Sequence, residues 1–150
     1  MAIFFEHNVI IERPVEDVYA YVSDVGNATA WIPWTDEVAV IEGPAPSGIV
    51  EGQQRSITQT DFGIQSETVL EATDVDPGHS YTFESVDDPV DYRGTYRFEE
   101  VGEGTRLTRT YHVEFPGSKR VMEPLMARRM KRRWRSDFDR LKHILENDSE

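Results

Sequence analysis

MARRMKRRWRSDFDRLKHILE, residues 126–146, is the stretch that decides the architecture. Met126, Met130, Trp134, Phe138, Leu141 and Leu145 recur at steps of four or three, the spacing of one face of an α-helix, and Met122 begins the same series. Leu125 and Ile144 are read as widening this apolar stripe, while Arg128, Arg129, Lys131, Arg132, Arg133, Arg135, Arg140 and Lys142 form the opposite face. A helix over 121–145 is about 37 Å long, enough to cross a whole β-sheet. Pro124 should kink it or mark its true first turn. Residues 147–150 are expected to fray.

What such a helix covers is written upstream. Between Thr35 and Phe115 the chain is a succession of strand-like runs, at about 37–42, 52–60, 64–74, 80–86, 92–100 and 105–115. GPAPSG, DFG, DPG, DDPVD and GEG separate them, each supplying the Gly, Pro or Asp that tight turns require. Regular spacing of this kind predicts an antiparallel meander. Residues 3–12 form another strand, with Ile3, Phe5, His7, Val9 and Ile11 on one face. Pro14 then opens a short helix carrying Val15, Val18, Tyr19 and Val22, and 27–32 makes a second that brings Trp31 to the apolar side before Pro33. The fold class is α+β: a curved antiparallel sheet of about seven strands, two short helices after the first strand, and a long C-terminal helix packed across it.

At 150 residues the chain is read as one domain, 1–150, large enough to bury a core. No apolar run approaches the roughly 20 residues of a membrane span. The opening MAIFFEHNVIIERP lacks a basic n-region, so it is read as a strand rather than a signal peptide. Zero cysteines exclude disulfides and thiolate chemistry and fit a cytoplasmic location. The net charge of −12 is unevenly spread, at −16 over 1–116, +7 over 117–143 and −3 over the last seven residues. A carboxylate-rich surface of this kind suits high salt, where screening relieves self-repulsion.

Three stretches together resemble a known family. VIIERPVEDVYAYVSDVGNATAWIPW (9–34), YRGTYRFEEVGEGTRLT (92–108) and the closing helix are similar to the START-like or SRPBCC superfamily, in its polyketide cyclase/dehydrase-like branch. The resemblance spans nearly the whole chain and implies the helix-grip fold. Members include lipid and hormone carriers, cyclases and oxygenase domains, so fold alone does not choose a function.

A sheet gripping a helix leaves a gap suited to an apolar ligand. Strand parity nominates its lining: Phe5 and His7; Tyr81 and Phe83; Tyr92, Tyr96 and Phe98; Leu107, Arg109, Tyr111 and Val113; then Trp31, and Met126, Met130 and Trp134 from the long helix. Ordinary core packing would use the same side chains. The inward polar residues carry more information, because burial without a partner costs roughly 1–3 kcal/mol. Arg109 is inward only if the last hairpin alternates strictly; a bulge near Gly104 would turn it outward. His7 is either a structural histidine or a general base or donor to a ligand carbonyl. The hydroxyls of Tyr96 and Tyr111 are placed to orient a ligand.

His7, His79, His112 and His143 are scattered, with none of the spacings of a metal site, and no GxSxG, P-loop or GxGxxG is present. Neither metal nor cofactor is expected. The basic helix face is weighed as a site for nucleic acid, an anionic membrane or a phosphorylated partner; with the sheet so acidic, neutralisation within the molecule is the simpler account and no nucleic acid is expected. The leading expectation is a monomer or homodimer that binds an apolar small molecule or lipid between sheet and helix. One alternative is a cyclase/dehydrase-like enzyme in which His7, Arg109, Tyr96 and Tyr111 polarise a carbonyl in the same cavity. Another is an accessory protein docking a partner through its basic helix.

Overall fold

The computed structural model of the chain describes residues 3–32, 35–42, 49–61, 64–86, 90–115, 117 and 123–147. Met122, Pro33, Pro116 and the turn residues 43–48, 62–63 and 87–89 lie outside these, as do 148–150 of the expected tail. Seven strands form one antiparallel sheet: β1 (Ile3–Ile11), β2 (Thr35–Glu42), β3 (Gln54–Asp61), β4 (Ile64–Asp76), β5 (Ser80–Ser85), β6 (Asp91–Val101) and β7 (Gly104–Glu114), in the order β1-β7-β6-β5-β4-β3-β2. The meander is the expected one, with β1 returning beside β7. Its tight corners are glycine corners: Gly78 after Asp76-Pro77 and Gly102 before Glu103 hold positive φ of 81° and 61°, which only glycine adopts freely.

Between β1 and β2 lie α1 (Val15–Ser23), a 3-10 turn (Val25–Asn27) and α2 (Ala28–Trp31). Pro14 stands at the N-cap of α1, Glu16 and Asp17 occupy its first turn, where the helix dipole favours acid, and Val18 and Val22 are buried. The second expected helix is thus one α-turn preceded by a 3-10 turn. Its Trp31 is buried as anticipated.

The long helix α3 covers Glu123–Asn147, and Pro124 sits in its first turn. It runs along β1. Trp134 lies 5.1 Å from Phe5 and Phe138 5.6 Å from His7, ring to ring. Farther on, Lys142 Nζ donates to the Ile10 carbonyl at 2.6 Å, and Glu146 Oε2 accepts from the Glu12 amide at 2.8 Å. Four residues of helix (about 6 Å) keep pace with two residues of strand (about 6.6 Å). Met130 therefore comes level with Ile3, and the first two turns of α3 overhang the described start of the strand.

Two expectations about this helix are corrected. Leu125 is 65% exposed and does not widen the apolar stripe; nine residues before Trp134, it faces the opposite way at 3.6 residues per turn. Asn147 belongs to the helix rather than a frayed tail, its Nδ2 donating to the His143 carbonyl at 2.9 Å.

Candidate functional site

Register decides which side chains meet. β7 pairs with β1 and with β6 without a shift, so strict alternation holds from Gly104 onward and Arg109 points inward. Irregularities fall instead in β2, between Thr35 and Glu37 and between Val40 and Glu42, and in β4 between Ala72 and Asp74. The inner face then reads as rows across neighbouring strands. One row is His7, Arg109, Tyr96, Tyr81; the next is Phe5, Tyr111, Gly94, Phe83; beyond it come Ile3, Val113 and Tyr92.

Gly94 shapes the second row. A Cβ there would stand 2.6 Å from Cε1 of Tyr111 and 3.1 Å from the Tyr92 hydroxyl. The missing side chain lets the Tyr111 ring lean across β6. The Tyr111 hydroxyl lies 2.8 Å from that of Tyr96, and the Tyr92 ring packs 5.1 Å from that of Tyr111, so three phenols converge. Burial pushes Tyr92 and Tyr111 well above the ordinary phenol value. At neutral pH these hydroxyls are donors, not bases.

Arg109 is fully buried and stands against this cluster. Its guanidinium lies 4.4 Å from the Phe138 ring, 4.9 Å from Tyr111, 5.8 Å from Trp31 and 5.9 Å from Tyr96. Its Nη2 donates to the Trp134 carbonyl and stands 3.7 Å from Oδ2 of Asp137, which is also fully buried. Burial works against the charge, but Tyr111, Tyr96 and Asp137 outweigh it and hold the arginine pKa above its usual value. Arg140 Nη1 reaches the other Asp137 oxygen at 3.7 Å. Among the described residues, Nε and Nη1 of Arg109 and Nε1 of Trp31 have no hydrogen-bond acceptor.

His7 is half-buried between the rings of Phe5 and Phe138, and burial, then the Arg109 and Arg135 charges, lowers its pKa. It is neutral at pH 7. Tyr81, Phe83 and Phe98 are buried among one another, with Tyr19 of α1 against Tyr81 and Phe98. Trp134 packs 4.4 Å from Tyr111.

These contacts fill the space between the sheet and the second half of α3, where an open cavity was expected. Two shallow surface hollows lie elsewhere: about 380 Å³ beside Arg13, Tyr21 and Leu145, and about 530 Å³ beside Gly52 and Thr73. Toward the overhanging end of α3 the packing loosens. Tyr92, Val90, Phe115, Ala127 and Met130 all touch the core yet remain half-buried, and Met126 is half-buried too. Of the residues named from the sequence, Tyr96, Tyr111, Arg109, Trp31 and Trp134 share one buried cluster, with His7 and Phe5 at its β1 side. Tyr92 and Met130 stand at its loose end. Asp137 and Gly94 were not named, although a carboxylate on the apolar stripe, one residue before Phe138, facing an inward arginine was a usable signal.

Residues 3–146 match the family described as polyketide cyclase / dehydrase and lipid transport. The chain belongs to that family. No curated protein is matched by the sequence. Solved structures with the same fold include TTHA0849 from Thermus thermophilus, at 19% identity and TM-score 0.80, with 98% of this chain and 99% of that one covered. The Zhui aromatase/cyclase from Streptomyces sp. R1128 is similar at 18% identity and TM-score 0.78, covering 100% and 97%. Ara h 8.0201 follows at 14% identity and TM-score 0.66, covering 95% and 96%. At these identities the likeness carries the helix-grip fold. Among the described residues no helix is long and apolar enough to cross a membrane.

Proposed function

We propose that the protein binds one apolar, oxygen-bearing small molecule or lipid between its sheet and α3, entering at the end marked by Tyr92, Val90, Phe115 and Met130. The observation that carries this reading is the gradient of packing: from fully buried Phe138 and Arg109, through buried Tyr111 and Tyr96, the core runs out to half-buried Tyr92 and Met130. Burying such a surface in a guest is favourable at roughly 25 cal/mol per Å². Methionine, which adapts to irregular shapes, sits where the guest would be gripped. The family, whose description joins cyclases with lipid transport, supports the ligand class.

Titration with the fluorescent apolar probe 1-anilinonaphthalene-8-sulfonate, competed with a long-chain fatty acid and with a polycyclic phenol, tests it. Saturable binding, displaced by at least one competitor and weakened about tenfold by Met130→Asp, which places a charge in an apolar contact, is the expected result. Binding that neither competitor displaces, or that ignores Met130→Asp, refutes it.

A second reading, favoured by the converging phenols, is cyclase/dehydrase-like catalysis. The hydroxyls of Tyr96 and Tyr111 would donate to a carbonyl of the guest, and Arg109 behind them would favour charge developing on that oxygen. Arg109 is here a positioning residue, sealed behind Tyr111, rather than a group touching the guest. Solved aromatase/cyclases share the fold. Turnover that survives Tyr111→Phe and Tyr96→Phe would remove these hydroxyls from the chemistry.

A further inference from the structure

The first half of α3 carries a charge pattern that the guest site leaves unused. Residues 124–136 hold six cations and no carboxylate. Internal neutralisation, the simplest expectation for this helix, is seen in its second half, where Arg140 stands 3.7 Å from Asp137 and Lys142 2.7 Å from Glu146. In the first half, Arg128, Lys131 and Arg132 make no ion pair or hydrogen bond with a described residue, and Arg128, Arg132 and Arg135 are exposed. Arg135 lies over a ring, its guanidinium 5.5 Å from that of Phe5. Beside these cations stands Leu125, 65% exposed. Steps of three and four place Leu125, Arg128 and Arg132 on one outward stripe.

We infer that this outward stripe docks the protein on an anionic lipid surface. The arginines meet headgroup phosphates and carboxylates while Leu125 enters the boundary with the acyl chains. A purely polyanionic partner satisfies the cations equally but leaves the leucine in water. The remaining surface helps by repulsion: with −16 over residues 1–116, the molecule presents α3 first to an anionic plane. In this orientation the overhanging end of α3, with half-buried Met126 and Met130 at its inner side, lies next to the bilayer. The docking goes beyond the guest reading and is independent of it, because the stripe makes none of the contacts in the aromatic cluster.

Co-sedimentation of the full chain with phosphatidylcholine vesicles, with and without about a third phosphatidylserine, tests the inference at low ionic strength, where surface attraction is strongest. Binding should be about tenfold tighter to the anionic vesicles, and Arg128→Glu/Arg132→Glu should abolish that preference with the circular dichroism spectrum unchanged. Leu125→Ser should weaken vesicle binding several-fold while leaving retention on heparin at its wild-type level. Equal or absent binding to the two vesicle types overturns the inference. So does an anionic preference that Leu125→Ser leaves untouched, which would assign the stripe to a protein or nucleic-acid polyanion.

Discussion

Asp137 and Arg109 form a fully buried ion pair in a ring of aromatic side chains. Breaking such a pair from one side leaves a buried charge, at a cost of about 3–5 kcal/mol, whereas replacing both partners by apolar residues is often neutral. In urea denaturation Asp137→Leu alone should lose stability in that range, and Arg109→Met/Asp137→Leu should recover most of it; a double variant as weak as the sum of the singles would contradict the pairing. Gly94→Ala should cost about 1–3 kcal/mol by driving a methyl into the Tyr111 ring, and the denaturation midpoint reads this directly. His7 titrates with the opposite sign to an ion-paired histidine. Its folded pKa lies below the unfolded 6.5, so its contribution is intact above pH 6.5 and is lost as pH falls through the folded value. Beside Arg109, Arg135 and Asp139, His7→Phe should flatten the fall in urea midpoint between pH 7.5 and 5.5 relative to wild type; an unchanged slope would exclude this role. Much of this site was legible from parity alone: Phe5, Tyr96, Tyr111 and Trp134 fall inward because alternation and the apolar stripe say so. Parity does not reveal how a ring leans. The convergence above Gly94, and the closing of Tyr111 over Arg109, depend on a missing Cβ on one strand and a ring on another.

At the scale of elements, periodicity located every strand and the long helix, and erred where local chemistry is ambiguous. β3 begins at Gln54 rather than at Gly52, whose φ of 91° belongs to a turn. The bulges of β2 and β4 carry no Gly or Pro signal and were not foreseen. Leu125 shows the same limit in a helix: its composition reads as core, its angle as solvent. A further consequence of packing α3 along β1 is protection of an edge strand. Glu146 accepts from the Glu12 amide and Lys142 donates to the Ile10 carbonyl, groups that an edge strand otherwise leaves open to another chain. Glu146→Ala should therefore speed hydrogen exchange at the Glu12 amide while shifting global stability by less than about 1 kcal/mol, as expected for an exposed contact. Unchanged exchange at Glu12 would mean that this contact does not protect the edge.

Charge organises the whole molecule. A net −12, concentrated on the sheet side, makes the folded state self-repulsive in dilute buffer, and salt shortens the range of that repulsion from about 10 Å at 0.1 M to about 3 Å at 1 M. The melting temperature should rise between low and molar KCl; indifference to salt would remove the high-salt reading of the composition. Composition exposes this property because charge is a sum over residues, whereas a guest depends on where a few side chains leave room. We propose that this room lies at the Tyr92 and Met130 end of the cluster, where the side chains are half-buried. Native mass spectrometry of the protein purified from its own source, followed by solvent extraction and rebinding, tests it most directly. We expect one apolar compound per chain, rebinding to the stripped protein and bound about tenfold more weakly by Met130→Asp. A chain that carries no compound, and neither rebinds the extract nor takes up an apolar probe, would show the core to be packing alone.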